Sequence, residues 1–472
     1  MKFLLDFFPK KSRVQGRALP QPAQGQGSRG QRPLAQGRKA GSAIKEEWYA
    51  RRNKMANLTP NKDVADFALP KGSVIQKLAY VLAFVGPASM ICSTSMGPGT
   101  ATSCIQAGAM FGYDLLWIII LSGIMCGFVA YIGAKATAVS GMTVYDFIEH
   151  KIGRVLSVLL FAVVLLTWNM VIYSQGSTMM QLSTIIFGES FGPAAFVVTI
   201  AIIAYLYVFA SNNNVVKIAS VMCFLMAAIF FINIFVVRPS FGSLASGIVP
   251  KIPGGAATVV AGIIGGSAPG TSALWYSYSV KNQKWDQPKT LSFIKWDQAI
   301  FAGMFTIFSL GIFLSGAAVL NPAGIEVSSA LQAATALEPV AGSFATYIFI
   351  AGFWGAVFTT IGGMSTLSSY CINSMFRISE NQTDRKVRWF ILISVAISLL
   401  GGLSGGSALS LLVNFMGALN VGGLVIIAIL VFFTCRKSFA GDYANKWYTT
   451  VIGVLIVGFN VYSAWTFLSK FF

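Results

Sequence analysis

Charge is what this chain has least of. Only 11% of its 472 residues are charged and only 16 are acidic, whereas a soluble domain carries about a quarter charged residues. That deficit excludes an ordinary cytosolic enzyme, a disordered regulator and a nucleic-acid binder. Histidine occurs once, at His150, and the six cysteines (Cys92, Cys104, Cys126, Cys223, Cys371, Cys435) show no C-x-x-C spacing. Lying mostly in apolar runs, they read as small buried hydrophobes, not as a disulfide framework or a zinc site. No Gly-Lys-Ser/Thr phosphate loop occurs, which leaves an ATP-driven pump unsupported. The stretch Gly402-Leu403-Ser404-Gly405-Gly406 has the spacing of a hydrolase nucleophile, but no membrane-embedded histidine exists to activate the serine. Neither enzymatic activity nor a cofactor is expected.

What the chain does have is apolar length: 55% of it is hydrophobic and its mean hydropathy is +0.68. Eleven apolar runs, each near the roughly 20 residues that a bilayer crossing needs, fall at about 78–111, 114–138, 155–183, 191–210, 214–237, 256–280, 298–320, 343–376, 388–404, 407–434 and 447–469. Hydrocarbon offers no hydrogen-bond partners, so such runs must be helices. No alternating ten-residue pattern supports a barrel. The fold class predicted is an all-α integral membrane protein with eleven transmembrane helices.

The net charge of +18 is not spread evenly. Residues 1–76 hold 15 basic and 5 acidic residues. This segment, rich in Gln, Gly, Pro and Arg, is predicted to be a largely disordered cytoplasmic tail; a second reading starts the protein at Met55. With the tail inside, 31 Lys and Arg face the cytoplasm and 3 (Arg238, Lys251, Lys470) face outward. That asymmetry predicts a plasma-membrane protein with the N-terminus cytoplasmic and the C-terminus outside. The glycosylation-like Asn57-Leu58-Thr59 and Asn381-Gln382-Thr383 then lie on the wrong side to matter.

Two runs share an interruption. Met96-Gly97-Pro98-Gly99-Thr100 lies in the first, and Ser267-Ala268-Pro269-Gly270-Thr271 in the sixth. Proline removes a backbone donor and glycine adds freedom, so a helix should break at each place. Broken backbone at mid-membrane is tolerated only where it lines a cavity. A matched pair five spans apart predicts an inverted repeat with the site between the breaks. The domain boundaries that follow are 1–76 (tail), 77–238 (spans 1–5), 239–434 (spans 6–10) and 435–472 (span 11 and C-terminus).

The residues around these breaks resemble the Nramp family of proton-coupled divalent-metal transporters. The likeness is carried by Gly97-Pro98-Gly99-Thr100, by Ile105-Gln106-Ala107-Gly108 and Phe111-Gly112-Tyr113, by Arg238-Pro239-Ser240-Phe241-Gly242 leading to Val249-Pro250-Lys251-Ile252-Pro253-Gly254, and by Leu337-Glu338-Pro339 with Ser365-Thr366-Leu367. The resemblance spans roughly 78–435. It implies the LeuT-type 5+5 inverted repeat with helices 1 and 6 broken, plus one peripheral helix. The family's metal-binding residues are missing: its Asp and Asn of the first helix correspond to Gly97 and Thr100, its Met-Pro-His of the sixth to Ala268-Pro269-Gly270, and its second His to Trp275.

The substrate expectation follows from charge. All acidic residues fall in the tail, in loops or at span ends, so a bare divalent ion at mid-depth would be compensated only by dipoles. No metal site is expected. Helix termini at the breaks suit a zwitterion, and the reading is a secondary transporter of a small zwitterionic or neutral organic solute, most simply an amino acid. The alternative is a divergent divalent-cation carrier for a largely hydrated ion such as Mg²⁺ or Mn²⁺. Gly97, Gly99 and Gly270 would make room for the cargo, Thr100 and Thr271 would donate to it, and Ser267 and Ala268 would flank it. Trp275 and Tyr276 would close over it or form an interfacial belt. Asn169, Tyr173 and Asn414 would face it or bridge helices. Ser365, Thr366, Ser368 and Ser369 would hold a coupling Na⁺ or only tie helices together, and H⁺ is the other coupling ion considered. The bilayer, the small-molecule substrate and the coupling ion complete the expected partners; nucleic acid is not among them.

Overall fold

The computed structural model describes residues 95–209, parts of 221–235, and residues 239–267, 270–327, 338–379, 381–404 and 408–469. The tail, the first half of the first span, most of the fifth, and Ala268-Pro269 lie outside the described residues. Within them every regular element is helical and no strand occurs. The principal helices are α1 (Pro98–Phe111), α2 (Leu116–Ser140), α3 (Val144–Ile152), α4 (Arg154–Phe209), α5 (Phe241–Ile248), α6 (Ala257–Ser267), α7 (Gly270–Asn282), α8 (Leu291–Ser315), α9 (Glu338–Phe376), α10 (Ile391–Leu403), α11 (Ala408–Thr434) and α12 (Trp447–Leu468).

Local chemistry sets the boundaries. Pro98 occupies the first turn of α1, where its missing N–H costs nothing. Gly141 ends α2 in the left-handed region at φ 68°, and its N–H returns to the Thr137 carbonyl. Thr143 caps α3 by accepting from the Asp146 N–H at 3.2 Å, while its hydroxyl donates to the Asp146 carboxylate at 2.7 Å. Spans 3 and 4 of the sequence reading are the two helices of α4, which meet at a kink where Gly188 leaves helical geometry (φ 79°, ψ 165°). A single glycine in a conformation closed to other residues replaces the expected loop.

Eight candidate membrane spans occur among the described residues; α4 alone covers two of the expected eleven. Burial sorts them. The α6–α7 span is 88% buried, whereas the α4 and α12 spans are 33% buried and turn Leu159, Leu166, Val198, Leu455 and Trp465 outward. A helix that is apolar all round yet exposed is one that faces lipid. Helices α1, α6 and α11 pack on one another in the middle, α2 and α8 cover one side, and α4, α9 and α10 the other.

Candidate functional site

The first break is present. Helical backbone holds at Ser95, lapses at Met96-Gly97 and resumes at Pro98. Gly97 is extended (φ −93°, ψ 175°). One side chain stitches the gap: the Thr100 hydroxyl donates to the Ser95 carbonyl at 2.7 Å, while within α1 Ser103 donates to the Gly99 carbonyl at 3.0 Å. The expected second break falls at Ala268-Pro269, outside the described residues; α6 is described to Ser267 and α7 from Gly270. Ser267 turns its hydroxyl back onto the Ile263 carbonyl at 2.7 Å.

The fold brings the first break against the end of α6. A Cβ placed on Gly266 would sit 2.5 Å from the Thr100 hydroxyl oxygen, and one on Gly262 would sit 2.6 Å from the Ser103 hydroxyl. Thr100 and Gly266, 166 residues apart in sequence, are therefore in van der Waals contact, because glycine on α6 lets α1 approach.

Helix α11 completes the junction and corrects the expected role of the glycines. They do not leave open room. A Cβ on Gly99 would overlap the Met416 methyl, one on Gly265 would overlap the Met416 carbonyl, and one on Gly270 would overlap the Gly423 carbonyl. Gly97 faces α9, where an added Cβ would lie 2.6 Å from the Thr360 hydroxyl oxygen. Each glycine lets a neighbouring helix come close, and the space it frees is filled by that neighbour. Met416 is buried, and its thioether is wedged beside the first break.

The aromatic residues are core, not an interfacial belt. Trp275 and Tyr276 are fully buried. The Trp275 ring meets Trp168 of α4 at 4.5 Å between centroids, and the Trp168 indole donates to the Met364 carbonyl of α9 at 3.1 Å. The Trp275 indole N–H itself has no hydrogen-bond partner. Tyr276 turns its hydroxyl away to donate to Asp297 at 2.6 Å. Asp297 is a buried carboxylate that lies within α8, not in a loop or exposed at a span end as the sequence suggests.

Three other expectations move. Asn169 bridges helices: its amide donates to the Leu165 carbonyl at 2.8 Å, and it accepts from the Ser394 hydroxyl of α10 at 2.8 Å. Tyr173 is half-buried, and its carbonyl abuts Gly401 of α10. Asn414 is exposed, because the face of α11 that meets α1 and α6 carries Val413, Met416 and Gly417 instead. On α9, the Thr366 hydroxyl is spent on the Gly362 carbonyl (2.9 Å) and Ser369 on the Thr366 carbonyl (2.6 Å). The Ser365 and Ser368 hydroxyls are buried without partners.

Buried polar atoms without partners are costly, on the order of 1–3 kcal/mol each, so they mark places where a ligand or water is due. On α7 and α9 they include the Thr271 hydroxyl, the Trp275 indole and the Ser365 and Ser368 hydroxyls, and on α4 both amide atoms of Gln175, seven residues along from Trp168. Among the described residues no group of three His, Cys, Asp or Glu converges that could hold a bare metal ion. Met416 and Thr360 are the residues sequence reasoning did not assign to the site.

The chain matches the family described as "Natural resistance-associated macrophage protein-like" over residues 88–470. It is 22% identical over 406 residues to the divalent metal cation transporter MntH of Yersinia pestis (strain Pestoides F), covering 81% of this chain and 94% of the relative. The MntH of Yersinia pseudotuberculosis serotype O:1b matches to the same extent. Among solved structures it is similar to a manganese transporter of Eremococcus coleocola in a variant form, with a TM-score of 0.62 and 17% identity over 85% of this chain and 88% of that one. The same transporter in complex with an aromatic bis-isothiourea substituted compound aligns over 86% and 90%, also at a TM-score of 0.62. At that identity the structural likeness speaks for the fold alone, but the family match covers most of the chain. With an interrupted first helix packed against α6 and α11, and a family match over residues 88–470, the protein belongs to the Nramp family of membrane transporters.

Proposed function

We propose that this protein is a secondary transporter of a divalent metal cation, carried with much of its water shell in place. The amino-acid expectation gives way here. The similar proteins are named for divalent metal cations and manganese, and the glycines thought to accommodate an α-carbon are filled by Met416, Thr360 and the Gly423 carbonyl. The observation that carries the proposal is the first break packed against the end of α6, with the uncharged Thr100 against Gly266.

Hydration reconciles such a cargo with a site poor in charge. Stripping a divalent ion without a carboxylate to receive it would cost several kcal/mol or more. A small hard cation such as Mg²⁺ dehydrates reluctantly and keeps several waters. Partnerless hydroxyl and amide groups such as Thr271 and Gln175 are suited to hydrogen-bond that shell. The Ser365 and Ser368 hydroxyls keep the expected coupling-ion site on α9; replacing Na⁺ by choline tests it.

Purified protein in liposomes loaded with a divalent-sensitive dye is expected to admit Mn²⁺ or Mg²⁺. Accumulation of a labelled amino acid, with no response to either metal, would overturn the proposal.

A further inference from the structure

The geometry points to a binding site for the phosphate of an anionic phospholipid between Lys151, in the last turn of α3, and Arg436, just past the end of α11. The two cations share one cluster of four rings. The Lys151 ammonium lies 5.0 Å from the Phe433 centroid, 5.7 Å from Phe147 and 5.8 Å from Phe439. The Arg436 guanidinium sits 3.8 Å over Phe432. Phe432 and Phe433 meet edge to face at 5.2 Å, and Phe147 meets Phe439 at 4.7 Å and Phe433 at 5.5 Å. The rings fix both charges over one aromatic floor.

Among the described residues neither side chain has an ion pair or a hydrogen bond. Of the nearby acids, Asp146 accepts from Thr143 at 2.7 Å, Glu149 is paired with Arg377, and Asp442, in the turn after Phe439, makes no ion pair with either cation. Two like charges held on one cluster with no counterion leave donors and an electrostatic field for an anion. The helix C-termini beneath them favour cations but leave these donors unbonded.

The level along the bundle says what the anion is. Trp447 and Tyr448, which open α12 beside this cluster's end of α11, are both exposed, and Phe432 is half-exposed to the surroundings of the bundle. Exposed Trp and Tyr at a span end mark the headgroup region, where basic side chains meet lipid phosphates. Lys437 is exposed as well but contributes to no ring contact, so it reports the diffuse field alone.

The test uses full-length protein in detergent, with native mass spectrometry counting bound phosphatidylglycerol or phosphatidylcholine. Phosphatidylglycerol is expected to bind and phosphatidylcholine not. Lys151→Gln and Arg436→Gln should each weaken binding about fivefold, and the pair about 25-fold; Lys437→Gln should stay within about twofold. The two single variants carry the test if the double variant does not fold. Three results would overturn the site: a double variant that binds like the parent, a Lys437→Gln loss equal to that of the other two, or inorganic phosphate displacing the lipid at the lipid's own concentration.

Discussion

Gly99→Ala is the most telling single change. The added Cβ would overlap the Met416 methyl and lie 3.0 Å from its Cγ and 3.2 Å from its Sδ. Overpacking of a tight core costs about 1–3 kcal/mol. Methionine has three flexible bonds, so the lesion is one that a smaller neighbour can relieve. Met416→Ala alone should cost about 2–5 kcal/mol as a cavity in the core. Combined, the two should cost less than their sum by on the order of 1 kcal/mol or more, the coupling expected of residues in contact. Gly265→Ala provides the contrast. Its Cβ would overlap the Met416 carbonyl and lie 2.6 Å from the carbonyl carbon, and backbone cannot rotate aside. Met416→Ala should therefore not relieve Gly265→Ala. Reversible denaturant titration in mixed micelles, or midpoint temperatures ranked across the set, measures both cycles. If Gly99→Ala and Met416→Ala simply add, the side chain is not where the junction needs it, and the account of α11 as the third wall fails.

Thr100 and Thr271 should separate structure from transport. Thr100→Val loses the hydrogen bond to the Ser95 carbonyl and should lower stability by about 0.5–1.5 kcal/mol. Thr271→Val removes a hydroxyl that has no partner, so stability should hold or rise while proteoliposome uptake of Mn²⁺ or Mg²⁺ falls; unchanged uptake would remove Thr271 from the site. Asn169→Leu breaks the link to Ser394 and should depress thermal stability, yet leave the half-saturating ion concentration as it was; a shift in that concentration would restore Asn169 to the cargo. Gly401→Ala would force a Cβ into the Tyr173 carbonyl and should yield little folded protein by size-exclusion chromatography, whereas a normal elution profile would mean α4 and α10 are less closely apposed.

Much of the architecture was legible because it follows from the bilayer's demands. Runs such as 114–138 and 447–469 became α2 and α12 almost residue for residue, since length and apolarity alone specify them. The first interruption was legible for the same reason: Gly97-Pro98-Gly99 cannot continue a helix from above. What a glycine is for was not legible. Gly99 and Gly265 carry one signature whether they open a cavity or admit Met416, and only the position of α11 decides. Asn169 took the second of its two expected roles, bridging α4 and α10, and Asn414 is exposed, because composition fixes that a polar side chain needs a partner but not which face of its helix turns inward. Asp297 was assigned to a span end, yet Tyr276 draws it into the buried interior. Gly188 shows the opposite limit: a connection of one residue has too little sequence to announce itself.

The last helix matters more than its position at the rim suggests. Asn420 of α11 donates to Ser463 of α12 at 3.2 Å, with both residues wholly buried, and a Cβ on Gly417 would lie 2.5 Å from the Phe467 ring. Gly417 directly follows the methionine at the junction. A deletion that stopped at residue 466 would strip that ring from the back of the central wall, and a rigid fusion there would displace it. Shortened or tagged forms that lose activity should accordingly be treated as lesions of the interior, even though the cut is made at the edge.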